Sequence, residues 1–491
     1  MSSTFNTYNI ATTGMYVSQA SLSVVSNNLA NISTTGYSRQ KAVSEEKTVS
    51  TGVDTSYGTG VGLEEISRAR DVFLDQTYRQ EKAQTEYYNT KNNLLEDAQK
   101  LLNEYGSSSS STNSENGLQQ TVTDFFDGWE QLTKDPGSQS TRKSVLEYAD
   151  ALVTTFNEVN TQLTEMQQDA GSRVKDGVDS LNKLAKQVVA LNQKISRAEA
   201  NGNEDCNLRD QRDELLDQMS SLANITVNEQ SDGSLNVSIG GVSLVQGNST
   251  HTLGTVEDGS TIQVVWSDLG STAAISSGSI KANMEEADQS AFTAISGSAS
   301  YDFTADGNSS LASLRQGLND LVTTIANKVN TLLASGKDLD GNTGAALFVA
   351  ADDNKPLELG NIEVNSVITA DVDKLAAGTT GETDDATIAT EINALKTNKI
   401  FSSDGLSMNV TSFYQAVVSW ISTAGNTASS NYDTQNTLLQ QAESQRQSIS
   451  SVSQDEEMSN MIVYQNAYNA SARLLSTIDY LLGDLIDKLG S

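Results

Sequence analysis

The chain alternates between two hydrophobic periods, and the points where the period changes outline its organisation. Tyr8, Ala11, Met15, Ser18, Leu22, Val25, Leu29 and Ile32 fall at spacings of three and four, the seam of a coiled-coil-type helix. Ser33-Thr34-Thr35-Gly36 ends it, since glycine adopts the left-handed conformation that closes a helix. Residues 49–62 hold four glycines and several threonines and read as extended or loop. A helix is expected over 64–105, with Leu94, Ala98, Leu101 and Tyr105 on one face, stopped by Gly106 and the serine run 107–111. Leu118, Val122, Phe125, Trp129 and Leu132 form a short amphipathic helix closed by Asp135-Pro136-Gly137. A longer seam runs Val145, Ala149, Leu152, Phe156, Val159, Leu163, Met166 and resumes with Val174, Val178, Leu181, Ala185, Val188. Asn201-Gly202 ends it, and a further helix follows over 211–222.

At Ile225 the period drops to two. Ile225 and Val227, then Leu235, Val237 and Ile239, then Val242 and Leu244 alternate with polar residues, with Asp232-Gly233 and Gly240-Gly241 placed as hairpin turns. Residues 261–266 are another strand candidate. The helical period returns with Leu311, Leu314, Leu318, Leu321, Ile325 and Leu332, and 336–400 is mixed, with short strands near Phe348 and Val364. Residues 407–449 are helical and rich in Gln, Asn and Ser. The last helix, about 455–489, carries the cleanest seam: Met461, Tyr464, Tyr468, Ser471, Leu475, Ile478, Leu482, Leu485 and Leu489. Ser453 with Glu456 three residues on predicts a capping box.

The expected fold is mainly α with an inserted β domain, its N- and C-terminal helices paired into a coiled-coil-like bundle, in an elongated multidomain architecture. The expected division is an N-terminal assembly helix, 1–43, paired with a C-terminal one, 450–491; a helical domain, 44–222, completed by 309–335 and 401–449; a β-rich outer domain, 223–308; and a mixed segment, 336–400. Two seams this narrow bury one face each against the other and leave their flanks to find partners, copies of the same chain among them.

Composition removes most chemistry. The chain has 491 residues, a net charge of −32, one cysteine and one histidine. Cys206 has no internal disulfide partner, and a Cys/His zinc site needs about four ligands. His251 lies in a polar loop and no Gly-x-Ser-x-Gly elbow occurs, so no nucleophilic set assembles. The acidic balance argues against nucleic acid, which needs a basic face. No apolar run approaches the roughly 18 residues of a membrane span, and the N-terminus lacks the basic and apolar regions of a cleaved signal. Asp338-Leu339-Asp340-Gly341-Asn342 opens like a calcium loop, but Thr343 and Val349 stand where glycine and a bidentate glutamate are required. Gly58-Thr59-Gly60-Val61-Gly62 is a fragment of a dinucleotide fingerprint and reads as loop. No catalytic residue, metal or cofactor is expected. The charged run Asp210-Gln211-Arg212-Asp213-Glu214 reads as a solvated helix face with ion pairs worth a few tenths of a kcal/mol each. Asn27, Asn28 and Asn31 beside the N-terminal seam have two readings: they fray and cap the helix end, or they select register and partner as a buried Asn does in coiled coils.

Four stretches together carry a family resemblance. Residues Ser26-Asn27-Asn28-Leu29-Ala30-Asn31-Ile32-Ser33-Thr34-Thr35-Gly36-Tyr37 resemble the N-terminal signature of bacterial flagellar rod, hook and hook-associated proteins, and Ser38-Arg39-Gln40 is more similar to the hook-associated protein 1, or FlgK, family. Phe125-Phe126-Asp127-Gly128-Trp129 with Asp135-Pro136, Asp210 through Leu216, and Asp455-Glu456-Glu457 with 464–473 resemble its later blocks. The resemblance implies a non-enzymatic, extracellular component of the flagellum at the hook–filament junction, exported through the flagellar type III channel without a cleaved signal. It implies self-association in a ring, contact with the hook protein and a second junction protein, passage through the export apparatus, no nucleic acid and no membrane. The expected subunit-interface residues are Met15, Leu22, Val25, Asn27, Asn28, Leu29, Asn31, Ile32, Tyr468, Leu475, Ile478, Leu482 and Leu485. An apolar seam exposed before export invites aggregation, and the resemblance suggests a cytoplasmic export chaperone on Met461, Tyr464, Tyr468, Leu475, Ile478 and Leu482. The alternatives are another flagellar axial subunit, of hook or rod type, and an axial protein carrying a hydrolase insert.

Overall fold

The computed structural model describes residues 2–50, 56–104, 117–201, 204–292, 299–300, 310–403 and 406–489. It opens with α1 (Ser2–Ala30), followed by a long antiparallel hairpin, β1 (Gln40–Ser50) and β2 (Ser56–Arg68), which packs along α1. The helix expected from 64 begins only at α2 (Val72–Glu104). Leu63 to Arg68 instead pair with Ser44 to Gln40, and the ladder overrides the weak helical signal of Leu63-Glu64-Glu65-Ile66. Gly60 makes the packing possible. Its φ is 132°, and a Cβ there would meet Thr13 Oγ1 at 2.2 Å. Tyr105, the 106–111 stop and Gly202 lie outside the described residues.

Three helices follow: α3 (Leu118–Lys134), α4 (Gln139–Ala198) and, after a short 3-10 turn, α5 (Cys206–Leu222). The two parts of the long seam belong to one unbroken helix of 60 residues, about 90 Å long at 1.5 Å per residue. The period-2 region forms a four-stranded antiparallel sheet in chain order, β3 (Ile225–Glu229), β4 (Leu235–Ile239), β5 (Val242–Gln246) and β6 (Ser249–Thr250), beside the hairpin β7 (Leu253–Asp258) and β8 (Thr261–Trp266). Gly240 and Gly241 both have positive φ, 57° and 85°, as the two-residue turn between β4 and β5 requires. Beyond the sheet come α6 (Ser279–Glu286), β9 (Ala299–Ser300) and α7 (Ser310–Ser335). The mixed segment supplies β10 (Phe348–Val349) paired with β11 (Glu363–Val364), α8 (Ser366–Ala370) and α9 (Thr387–Ala394). Then β12 (Phe401–Ser403) pairs with β13 (Leu406–Met408) and with β9, and the chain ends in α10 (Val410–Ser450) and α11 (Gln454–Leu489).

Two apolar clusters share α4. Its first half packs with α3, α7, the mixed segment and the start of α10, around Phe125, Phe126, Trp129, Phe156 and Phe413. Its second half packs with α5, α6 and the β module, around Leu216, Val237, Leu244 and Trp266. Asn192 of α4 fixes the module, donating to the carbonyls of Leu235 (2.9 Å) and Gly247 (2.8 Å) and accepting from Arg212 Nη1 (3.1 Å). The sequence is thus mainly helical with an attached β module. Its first and last helices pack together, and α2 and α10 form a second antiparallel pair. In the latter, Gln99 reaches the Ile421 carbonyl at one end and Arg446 stacks on Tyr78, 3.8 Å from the ring centroid, at the other. No helix among the described residues is long and apolar enough to cross a membrane.

Candidate assembly site

Helices α1 and α11 run antiparallel, with Asn28 opposite Glu457 and Gly14 opposite Ser471. The face of α1 turned inward is made of small side chains: Ala11, Ser18, Ser21, Val24, Val25 and Asn28 are buried. Met15, Leu22, Asn27, Leu29 and Asn31 are half-buried at its margins, and Ile32 lies beyond the helix end, exposed. On α11, Ile478 is buried, and Met461, Tyr464, Tyr468, Leu475 and Leu482 are half-buried. The side chain of Leu485 lies outside the described residues. The outer faces keep large apolar groups in solvent, among them Phe5, Tyr16, Ile462, Val463, Tyr480 and Leu481, each more than half exposed.

Much of that outer surface also lacks charge, up to the exposed Arg473, Asp479 and Asp484 in the second half of α11. Residues 1–38 contain no Asp, Glu, Lys, Arg or His, and neither do 458–472, although the chain carries −32 overall. An uncharged, partly apolar stretch brings no like-charge repulsion to a contact.

Charge is instead concentrated at the root of the pair. Asn28, 1% exposed, donates from Nδ2 to the Gln40 carbonyl (2.9 Å) and to Glu457 Oε2 (3.0 Å). Its Oδ1 accepts from Gln40 N (2.9 Å) and Tyr37 Oη (2.8 Å). Asn28 therefore sets the register of the pair and the departure of the chain into β1. Asn31 Nδ2 donates to the Asn27 carbonyl (3.0 Å) and to Asn27 Oδ1 (2.8 Å), closing the helix end. Glu457 Oε1 accepts from Arg39 Nε (2.9 Å), and Arg39 Nη1 lies 2.8 Å from Glu456 Oε2. Glu456 therefore turns toward Arg39, where a reciprocal bond back to Ser453 had been expected.

A second layer lies beneath. Asp210 Oδ2 accepts from Ser38 N (3.0 Å) and its Oδ1 from Ser38 Oγ (2.7 Å) and Arg68 Nη1 (2.9 Å). Asp213 meets Arg68 (2.7 Å), Arg79 (3.2 Å) and Arg70. Asp217 meets Arg79 (2.7 Å) and Arg446 (2.6 Å). Burial alone would raise the Asp213 carboxyl, but Arg70, Arg79 and Arg68 hold it far below the usual carboxylate range. The expectation of a solvated charged face is thus corrected: Asp210, Asp213 and Asp217 are each under 10% exposed and Arg212 is 1% exposed. The signal was available in the sequence, since three aspartates at spacings of three and four share one helix face, and Arg68-x-Arg70 supplies the countercharge. Arg79 and Arg446 sit alone in helical sequence, and nothing local marks them.

The remaining motifs resolve into local structure. The carboxylate of Asp338 accepts from the backbone of Asp340 (3.0 Å) and Asn342 (2.7 Å), and the Lys374 ammonium lies against Asp338 and Asp340, at the place a cation would take. Residues 58–62 are part of β2. His251 Nδ1 lies 3.4 Å from Asp268 in an exposed loop. Cys206 donates to the Ile66 carbonyl (3.3 Å), and burial pushes its thiol up to about 11.

Three family models match the chain. One is described as the flagellar hook-associated protein FlgK helical domain, over residues 107–348. The others are the flagellar basal body rod FlgEFG protein C-terminal, over 443–488, and the flagella basal body rod protein, over 9–37. The chain is 31% identical to flagellar hook-associated protein 1 of Bacillus subtilis, an alignment covering 100% of this chain and 99% of that protein. It is 24% identical to the protein of the same name from Escherichia coli, covering 98% and 99%. The solved structure of the flagellar hook junction protein FlgK from Burkholderia pseudomallei superposes with a TM-score of 0.62 at 15% identity, over 77% of this chain and 100% of that one.

Proposed function

This chain belongs to the flagellar hook-associated protein 1 family, and from that premise we propose how it acts. It is a structural subunit of the bacterial flagellum at the hook–filament junction, and it assembles with other hook components. The observation that carries the reading is the α1–α11 pair. Its α1 side is closed by small residues, and its outer face is uncharged over residues 1–38 and 458–472, with Tyr16, Ile462 and Val463 left in solvent. Copies of the chain bury those outer faces against one another in a ring, and Met15, Leu22, Leu29, Tyr468, Leu475 and Leu482 at the margins complete the seams between neighbours. Val25, Asn28 and Ile478 act one step back, by holding the pair together. A buried leucine or isoleucine contributes roughly 1.5–3 kcal/mol, so a few per helix offset the cost of ordering it.

We assign 1–43 with 450–491 to assembly, 44–222 with 309–335 and 401–449 to the helical body, and 223–308 to an outer module. The mixed segment, 336–400, shares the apolar cluster of the body. The hook protein and a second junction protein are the neighbours above and below the ring. The subunit leaves the cell through the flagellar export apparatus, and a cytoplasmic chaperone covers Met461 to Leu482 beforehand. Since Ile478 is buried against the pair, chaperone binding there requires α11 to leave α1. The relatives are named for their association with the flagellar hook, which supports a role in assembly. The alternative of a hook or rod subunit is disfavoured by the helical-domain match over 107–348. Antibody labelling of isolated hook–basal bodies tests the placement: signal confined to the distal end of the hook is expected, and signal along the hook or in the rod would contradict it.

A further inference from the structure

Helix α10 packs on α2 and α7 through a buried face that includes Phe413, Val417, Ile421 and Ala428. Its opposite face is unlike that of the other long helix of the body. Ser419, Thr423, Asn426, Ser430, Thr437 and Gln441 recur there at spacings of three and four, all exposed, and so form one stripe. Asp433 is the single charged residue among the exposed positions of α10. On α4, which shares the same apolar cluster, Glu147, Asp150, Glu158, Glu165 and Asp169 all stand in solvent. Ser, Thr and Asn are poorer helix formers than the Glu and Lys that suit an exposed helix face. Helix stability in water therefore does not account for the stripe. The stripe is also easy to dehydrate. Thr423, Thr427, Thr434 and Thr437 donate their hydroxyls one turn back, to the carbonyls of Ser419, Thr423, Ser430 and Asp433, each at 2.8 Å. Those protons are satisfied within the helix, and covering them strands no donor. Leu438 and Ile449 add exposed apolar area toward the C-terminal end.

We propose that this stripe is a second contact between copies of the chain, laid along the body beside the one at the terminal pair. Charge selects the occupant. The chain carries −32, so its copies repel one another unless they meet where charge is absent. The uncharged parts of the terminal pair are one such place. The exposed face of α10 is another, and α10 leads into α11 through residues 451–453. A ring sets one face of each copy against a different face of the next. Ser, Thr, Asn and Gln both donate and accept, so the stripe meets amides, hydroxyls or carboxylates of a neighbour without like-charge repulsion. The inference rests on the assembly reading above and adds to it a contact on the body.

The test uses intact flagella carrying the full-length chain, with a photoreactive benzophenone amino acid at one exposed position at a time. The positions are Ser430 on the stripe, Tyr16 on the terminal pair and Val256 on the β module. Irradiation is followed by denaturing electrophoresis and mass spectrometry of the linked peptides. The expected result is a covalent dimer of the chain from Ser430 and from Tyr16, and none from Val256. A dimer from Tyr16 without one from Ser430 would overturn the stripe and leave the assembly reading standing. A dimer from Ser430 alone would support the stripe and remove the terminal pair from the contact, and no dimer from either would overturn both. Linkage of Ser430 to a different protein would overturn the proposal, since the occupant would then not be a copy. Equal dimer from Val256 would overturn it too, because linkage would not follow the uncharged face. A charge test runs in parallel. Ser430→Glu combined with Gln441→Glu should leave thermal unfolding at the parent value and lower the amount of chain retained on isolated hooks roughly tenfold, while Ser430→Gln should keep the parent amount. Parental retention of the double Glu variant would contradict the proposal.

Discussion

Helices α4 and α11 are both long and both carry a regular apolar seam, yet they end in opposite states. On α4 the seam from Val145 to Val188 is sealed, with Leu152, Phe156, Leu163 and Leu181 at 0% exposure. Among its described side chains, α11 buries a single apolar one, Ile478. The difference lies in the number of neighbours, not in the pattern. Helix α4 meets α3, α5, α6, α7 and the β module, whereas α11 has one principal partner, α1, whose inward face is mostly Ala, Ser and Val. A period read along one helix states which face is apolar; whether that face is covered depends on what else the chain brings to it. The body is thus self-sufficient, and the terminal pair keeps large apolar groups in solvent, as the proposed contact between copies requires.

Perturbing the body should produce the largest effects. Trp129→Ala empties a fully enclosed site and should cost about 3–5 kcal/mol in denaturant unfolding. Asp213→Asn leaves Arg68, Arg70 and Arg79 short of a carboxylate and should cost about 2–4 kcal/mol near neutral pH. The folded carboxyl is held below its usual value, so its contribution is present above the unfolded value of about 4 and is lost as pH falls through the folded one. Parent and variant should therefore converge in acid. Asp320, buried in α7 with Gln316 donating to it at 2.6 Å, has the opposite sign. Burial raises its carboxyl to about 7. Its contribution is complete below the unfolded value and is lost as pH rises through about 7. Asp320→Asn should accordingly stabilise the chain by roughly 1–3 kcal/mol more at pH 8 than at pH 5, seen as a pH-dependent gain in melting temperature. The smallest effect on folding belongs to the terminal pair: Leu22→Asp, at a half-buried margin, should change unfolding of the body by less than about 0.5 kcal/mol. The same variant should abolish swimming, because a carboxylate then stands on the proposed contact with a neighbouring copy. Normal motility would remove that seam from the interface.

How much of this was legible in the sequence varied with the range of the interactions. The helical seams, the period change at Ile225 and the glycine turns are local; the seam of α4, the strands from Ile225 and the Gly240-Gly241 turn have their counterparts in the structure, whereas Ile32 lies past the end of α1. The long β1–β2 hairpin was half missed, because β2 is stabilised by pairing with β1 and by lying on α1 at Gly60, neither visible in Leu63-Glu64-Glu65-Ile66. The pairing of the two ends followed from matching seams. The ion network at their root did not, since Asp213 becomes buried only when Arg68 of β2, Arg70 of the segment after it and Arg79 of α2 arrive. Asn28 was marked by its place beside the seam, but its partner Glu457 lies more than four hundred residues away. Of the stretches that carry the family resemblance, 26–40, 210–216 and 455–457 converge on this one root, whereas Phe125–Trp129 lie in the core of the body.

The central claim is that the outer faces of α1 and α11 are covered only in the assembled flagellum. Val463→Cys on α11 and Val256→Cys on the β module both place a thiol at an exposed position, and maleimide labelling compares the purified chain with intact flagella. The account predicts that both thiols label in the purified chain, and that in flagella Val463→Cys becomes protected while Val256→Cys still labels. Equal labelling of Val463→Cys in the two states would contradict it.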